Sequence, residues 1–302
     1  MTKEQRKKNL AVPSGRVDVV LDTDAYNEID DQFAIAYLLR SKEKLNTLAI
    51  YAAPFDNPNS NGPKDGMERS YNEILKLLAF MDEEATVLHG SESFLADERT
   101  PVISEAALDL VERSKNYSPE NPLYVVAIGA ITNIASAILL DPQVAENTVV
   151  VWLGGHAMHY HDTKEFNMKQ DIAAARIVMG SGVPFVQLPC NGVVNRFLIS
   201  KPELEYWLKG KNALADYLAE HTIEAAEKYA SGTAWTRCIW DVTAVAWLLN
   251  DCDRFMRARV VPAHLPTYEH QYAEVAENIE MQYVYHIQRD ALMTDLLRKI
   301  VE

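Results

Sequence analysis

Four aspartates, Asp22, Asp24, Asp30 and Asp31, fall within ten residues near the start of the chain, in the stretch Val19-Val20-Leu21-Asp22-Thr23-Asp24-Ala25-Tyr26-Asn27-Glu28-Ile29-Asp30-Asp31. Like charges at this density repel and raise one another's pKa unless a cation neutralises them. Oxygen donors of this kind suit a hard cation, Ca²⁺ or Mg²⁺. The competing use is a helix cap, since acidic side chains at a helix N-terminus accept its free N–H groups and complement its dipole. Capping, however, uses one or two acids rather than four.

The elements that must position these groups are legible around them. The apolar run before Asp22 reads as a buried strand, and Gln32-Phe33-Ala34-Ile35-Ala36-Tyr37-Leu38-Leu39 reads as the helix that follows. The aspartates therefore occupy a strand-to-helix junction, which in an open α/β sheet lies at the carboxyl end of a strand, where ligands bind. Strands are expected at Leu45–Ala52, Leu123–Ile128, Thr148–Leu153 and Val183–Leu188. Helices are expected from Gly66 to Met81 and at Glu105–Lys115, Asn133–Leu140 and Gln170–Met179. This alternation predicts an α/β fold, an open, mainly parallel, doubly wound (Rossmann-like) sheet flanked by helices. The C-terminal third reads as more helical, with Lys201–Lys209, Ala213–Tyr229, Asp241–Leu249 and a last helix over Asp290–Val301. No repeat or Pro/Gly-rich linker divides the chain, so one domain over residues 1–302 is the economical reading.

Three more polar groups sit at expected strand ends. Gly129-Ala130-Ile131-Thr132-Asn133 is a turn with a Thr/Asn cap. Gly154-Gly155-His156 opens a His-rich loop, His156, His159 and His161, that closes in Glu165-Phe166-Asn167. Clustered imidazoles bind transition metals or do acid–base work, and they also occur in merely solvated loops. Asp241, after Trp240, heads an apolar helix, either as its cap or as a further carboxylate for the first cluster.

Bulk properties narrow the partners. With 302 residues, 48% hydrophobic and 24% charged, the chain has the composition of a globular protein that buries a large core. A formal net charge of −14 argues against nucleic acid, whose binding rests on clustered Lys and Arg. No apolar run approaches the ~20 residues of a membrane span. The polar start, Met1 to Lys8, lacks the apolar stretch of a secretory signal, so a cytoplasmic location is expected. Cys190, Cys238 and Cys252 are scattered, without the spacing of a zinc site or a disulfide framework.

Taken together, these segments resemble the nucleoside hydrolases, the inosine–uridine-preferring ribohydrolase family. Asp22, Asp24, Asp30, Asp31 and Ala34 stand in place of its DxDxGxDDxxA-like motif. Gly129-Ala130-Ile131-Thr132-Asn133-Ile134-Ala135 resembles its GxLTNxA segment, and Leu153-Gly154-Gly155 and Glu165-Phe166-Asn167 its MGG and EFN segments. Gly182-Val183-Pro184 resembles its GVP turn, and Asp241-Val242-Thr243-Ala244-Val245-Ala246 its C-terminal aspartate segment. The matches keep the family's order from about Val19 to Ala246.

The resemblance implies a bound Ca²⁺ held by Asp24, Asp31, Asp241 and the carbonyl of Thr132, and hydrolysis of an N-ribosidic bond. Asp24 would also be the general base, and Asp30, Glu165 and Asn167 would hydrogen-bond the ribose, leaving Asp22 to fix the loop. A small nucleoside or riboside is the implied partner, and a homodimer or homotetramer the implied assembly. Several positions depart from the pattern. The step from Asp24 to Asp30-Asp31 is two residues longer than in the motif, which makes Asn27 or Glu28 alternative ligand contacts. Phe55 falls where the family has a ribose-contacting Asn, with Asn57 close enough to substitute. His159 falls where it has another polar group. Trp240 replaces a His thought to protonate the leaving base, so that role would pass to His159 or His161, or to stacking on Trp240 alone. Two other readings compete. Asp22-Thr23-Asp24 fits the DxD of haloacid dehalogenase phosphatases, although Tyr26 breaks that motif and the downstream segments have no place in it. A non-catalytic riboside-binding relative would keep the metal and lose turnover.

Overall fold

Six strands whose residues are mostly apolar build the centre of the molecule: β1 (Val17–Thr23), β2 (Leu45–Ala52), β3 (Val87–His89), β4 (Leu123–Ala127), β5 (Thr148–Leu153) and β6 (Phe185–Leu188). Every residue of β4, β5 and β6 is buried, as parallel strands covered on both faces must be. They are parallel and lie in the order β3-β2-β1-β4-β5-β6. This computed structural model describes the backbone of residues 1–302 and every side chain except those of Ala273, Glu274 and Glu277.

Alternation along each strand divides the core in two. Val19 and Leu21 face one layer, packed with Phe33 and Tyr37 of the helix Asp31–Leu39 and with Val245 of the helix Val242–Leu248. Val20 faces the other, with Leu110 of Glu105–Ser114, Ile134 of Thr132–Leu140 and Val178 of Ile172–Gly180. Among the described residues no helix is long and apolar enough to cross a membrane.

The predicted doubly wound sheet is therefore present, with corrections at its far side. The four helices expected in the C-terminal third are present, Lys201–Trp207, Ala213–Ala230, Val242–Leu248 and Arg289–Val301, but strands that were not expected lie among them. Two strands, β7 (Leu198–Ser200) and β8 (Thr236–Cys238), form a small antiparallel pair. A long hairpin of β9 (Met256–Pro266) and β10 (Tyr272–Ile287) extends the main sheet, β10 parallel to β6 and β9 antiparallel at the edge. The helix expected over Gln170–Met179 runs Ile172–Gly180, and a short helix that was not expected, Phe166–Gln170, precedes it. Asp171 separates them, its carboxylate accepting from Ala174 N at 2.9 Å, Leu95 N at 2.9 Å and the Thr132 hydroxyl at 2.7 Å. A helix over Lys3–Asn9 was not expected.

One buried side chain joins the strand ends at the middle of this sheet. Asn133 donates to Asp22 Oδ1 at 2.7 Å and accepts from Ser91 N and Ser91 Oγ, both at 2.8 Å. Removing it strands a carboxyl and an N–H in the interior, each worth about 1–3 kcal/mol. An Asn133→Ala variant is expected to lose about 2–6 kcal/mol of stability on that basis. Urea denaturation checks this, and an unchanged midpoint would show that Asn133 is not the tie.

Candidate active site

Strands β1 and β4 are neighbours whose outgoing connections run to opposite sides, toward β2 and toward β5. Their carboxyl ends thus frame the switch-point crevice of a doubly wound sheet. Into it the first strand delivers Asp22 and Asp24, and the segment after β4 delivers Gly129. Burial pushes Asp22 up to about 7, against the hydrogen bond from Asn133.

Asp24 is 1% exposed, and neither of its carboxylate oxygens accepts a hydrogen bond among the described residues. Buried polar atoms are almost always paired, and a buried carboxylate without a partner is costly. Gly129 makes room for it: a Cβ there would lie 3.0 Å from Asp24 Cγ. Beside it, carboxylate oxygens of Asp30, Asp31 and Asp241 lie within 4.8 Å of one another. Asp30 precedes the helix Asp31–Leu39 and Asp241 precedes Val242–Leu248, so two helix starts converge here, and Asp241 N donates to Asp30 Oδ2 at 3.3 Å.

All these acids are held above the usual carboxylate range. Burial is the main cause for each, with Asp31 and Asp30 adding repulsion at Asp24, Glu28 and Asp31 at Asp30, and Asp30 and Asp31 at Asp241. Asp31 rises to about 6, burial being offset in part by the Thr23 hydroxyl that donates to it. Unpaired, mutually repelling carboxylates under one strand end are a fit donor set for a hard divalent cation. Thr132 is the first residue of its helix, and its hydroxyl donates to Asp171 at 2.7 Å.

Against this cluster opens a cavity of about 270 Å³, close to the lower end of small-molecule sites. Asp30, Glu165, Asn167, Trp240 and Asp241 line it. Glu165 caps the helix Phe166–Gln170, accepting from Gly155 N, Asn167 N and Met168 N, while burial raises its pKa. Asn167 donates to Ile128 O and Leu153 O, both at 3.0 Å, which commits its amide hydrogens and leaves Oδ1 to a ligand.

Other expected residues stand apart from the cavity wall. Asn57 sits behind it, its Nδ2 2.6 Å from Asn27 Oδ1, and Asn27 lines the cavity instead. Phe55 is fully buried. His159 is exposed, and the imidazole that lines the cavity is His156, whose Nδ1 accepts from Asn191 N at 3.3 Å. Its place directly after Gly154-Gly155 at the end of β5 is the signal that separates it from its two neighbours.

The lengthened first loop is braced at both ends. Asn27 N donates to Asp24 O at 2.7 Å, and Gln32 Nε2 reaches back to Ala25 O at 2.7 Å. Glu28 also lines the cavity and pairs at 2.6 Å with Arg237 of β8, a residue the sequence did not single out.

Fold and cleft together define a class: doubly wound α/β proteins that gather buried carboxylates and a small-molecule cavity at the sheet's switch point. Comparison with known proteins makes the class specific. A family profile described as inosine-uridine preferring nucleoside hydrolase matches residues 19–293. The chain belongs to that family. It is 28% identical to the non-specific ribonucleoside hydrolase RihC of Salmonella agona, over 77% of this chain and 78% of that protein. Among solved structures, an inosine-guanosine nucleoside hydrolase superposes with a TM-score of 0.75 at 16% identity, covering 95% of this chain and 98% of the other. A purine-preferring ribonucleoside hydrolase from Gardnerella vaginalis gives 0.74 at 19% identity, covering 94% and 98%.

Proposed function

We propose that the protein is a calcium-dependent N-ribohydrolase that splits the C1′–N bond of a ribonucleoside or related riboside into ribose and free base. The observation that carries this reading is Asp24, whose two buried, unpartnered oxygens adjoin Asp30, Asp31 and Asp241 at the switch point of a nucleoside hydrolase fold. Asp24, Asp31, Asp241 and the Thr132 carbonyl would hold the cation, carboxylates and a carbonyl being the ligands calcium takes. Bound there, calcium supplies a fixed positive charge that holds water and lowers its pKa.

The chain's own residues do the rest. Asp24 accepts the proton of the attacking water. Asp30, Glu165 and Asn167 hydrogen-bond the ribose hydroxyls and fix the sugar against that water. As the C1′–N bond lengthens, positive charge grows on the sugar, and the surrounding carboxylates stabilise it. Family resemblance adds a homodimeric or homotetrameric assembly to the reading.

The test is ribose release from a panel of purine and pyrimidine nucleosides, with and without a chelator. Turnover lost on chelation supports the reading; silence from calcium-loaded protein, across the panel and on other ribosides alike, removes it. A subtler result is expected at Asn57, which acts through Asn27. Asn57→Ala should raise KM about tenfold, the equivalent of about 1.4 kcal/mol, with kcat within about twofold. Steady-state kinetics checks the split, and an equal fall in kcat would place Asn57 in the chemistry itself.

A further inference from the structure

The cavity wall poses a problem for an ordinary nucleoside. A neutral base leaves as an anion unless it is protonated, and a good proton donor is needed beside it. Trp240 lines the cavity directly before Asp241, and its indole N–H is far too weak an acid to protonate a leaving base, while the ring offers a broad π-face. His156 is the imidazole on the wall; it is buried, and its Nδ1 accepts the Asn191 N–H. That bond fits the neutral ring, a very weak acid, and burial holds the His156 pKa below its ordinary value.

Charge on the wall points the same way. Glu28, Asp30, Glu165 and Asp241 all line the cavity. Arg237 answers Glu28 through their ion pair. Lys164, an exposed residue whose charge also bears on Asp162, lines the cavity too, so four acidic side chains there stand against one lysine. A cation bound by Asp24, Asp31 and Asp241 would leave Asp30 and Glu165 still facing the ligand. The surface therefore favours a cation over the neutral form of the same ring, and an indole face adds attraction for a desolvated cation.

We propose that the preferred substrate is a riboside of a positively charged nitrogen heterocycle, an N-ribosylpyridinium being the simplest case. This deepens the hydrolase reading above and rests on it. Such a substrate removes the need for an acid. When its C1′–N⁺ bond breaks, the electron pair goes to the ring nitrogen and the heterocycle departs neutral. Water adds its oxygen to C1′, and its proton passes to Asp24 and then to solvent. Ribose, neutral base and one proton balance the cationic riboside and water consumed.

The experiment compares calcium-loaded protein on nicotinamide riboside and on uridine, each kcat/KM divided by that compound's uncatalysed rate to remove its intrinsic reactivity. Inhibition by 1-methylnicotinamide, a permanent cation, and by neutral nicotinamide gives a second readout that involves no bond cleavage. The proposal expects the corrected ratio to favour nicotinamide riboside at least about tenfold, and 1-methylnicotinamide to inhibit at least about tenfold more tightly. Trp240→Leu should lose most of both preferences and Trp240→Phe should keep them. Uridine cleaved as well as the cation, with no preference between the inhibitors, overturns the proposal and leaves the hydrolase standing. No ribose from either compound overturns both. Preferences intact in Trp240→Leu would also overturn it as argued here, because the indole would then play no part.

Discussion

An Asp24→Asn protein is expected to release ribose at least about a thousandfold more slowly than the parent, since a positioned general base alone contributes about 10²–10⁴ and the same substitution weakens the cation site. Asparagine keeps the size of the side chain, so the change is one of charge and basicity. Burial favours it for stability: the carboxylate it replaces has both oxygens buried without a partner, and a neutral amide is cheaper to desolvate. The variant should thus melt no lower than the chelated parent while losing both turnover and calcium affinity. Calorimetric calcium titration together with ribose release tests this. Turnover near the parent's would remove Asp24 as base and ligand together.

Chelation is expected to have the second largest effect, abolishing turnover and lowering the melting temperature by several degrees. Ligand present at a hundred times its Kd stabilises the folded state by about 2.7 kcal/mol. The sign of the pH dependence follows from the site's acids. Without a cation, burial lifts Asp31 to about 6 and Asp22 to about 7, and raises Asp24, Asp30 and Asp241 as well. An unfolded aspartate titrates near 4, so between about pH 4 and 7 the folded chain holds more protons than the unfolded one. Stability then falls as pH rises through that window. Chelated protein should therefore melt higher at pH 5 than at pH 8. Calcium must displace those protons, so its affinity should rise with pH over the same window. Thermal melts at both pH values, with calcium and with chelator, check both statements; curves that coincide would mean these carboxyls hold no cation.

How far the sequence reaches depends on whether an interaction is local. The parallel strands were readable because burial on both faces makes them continuous apolar runs, as in Leu123–Ala127 and Thr148–Leu153. The β9–β10 hairpin was not. Its alternation is broken by register shifts between Tyr272 and Glu274, Val275 and Glu280, and Val284 and His286, and its edge strand carries exposed Arg257 and Arg259 that read as loop. At the site, the aspartates announced themselves by crowding. The identity of the lining residues in the longer first loop did not follow from crowding: Asn27 and Glu28 reach the wall while Asn57 stands behind it. Arg237 lies 209 positions from Glu28, a pairing that only the folded chain reveals. Three imidazoles within six residues, His156 to His161, could be separated only by where β5 ends.

The first loop has the form of a replaceable cassette. Residues 25–29 hang between Asp24, fixed by β1, and Asp30, fixed by the helix it precedes, and the Gln32 brace ties the loop's start to that helix. Ala25 and Ile29 are buried in the core, so changes confined to the three residues between them re-aim groups such as Asn27 and Glu28 at the ligand while the carboxylates on either side stay in place. Cleavage chemistry and ligand choice are thus written on separate, adjoining pieces of chain, and selection can revise one while the other stays constant.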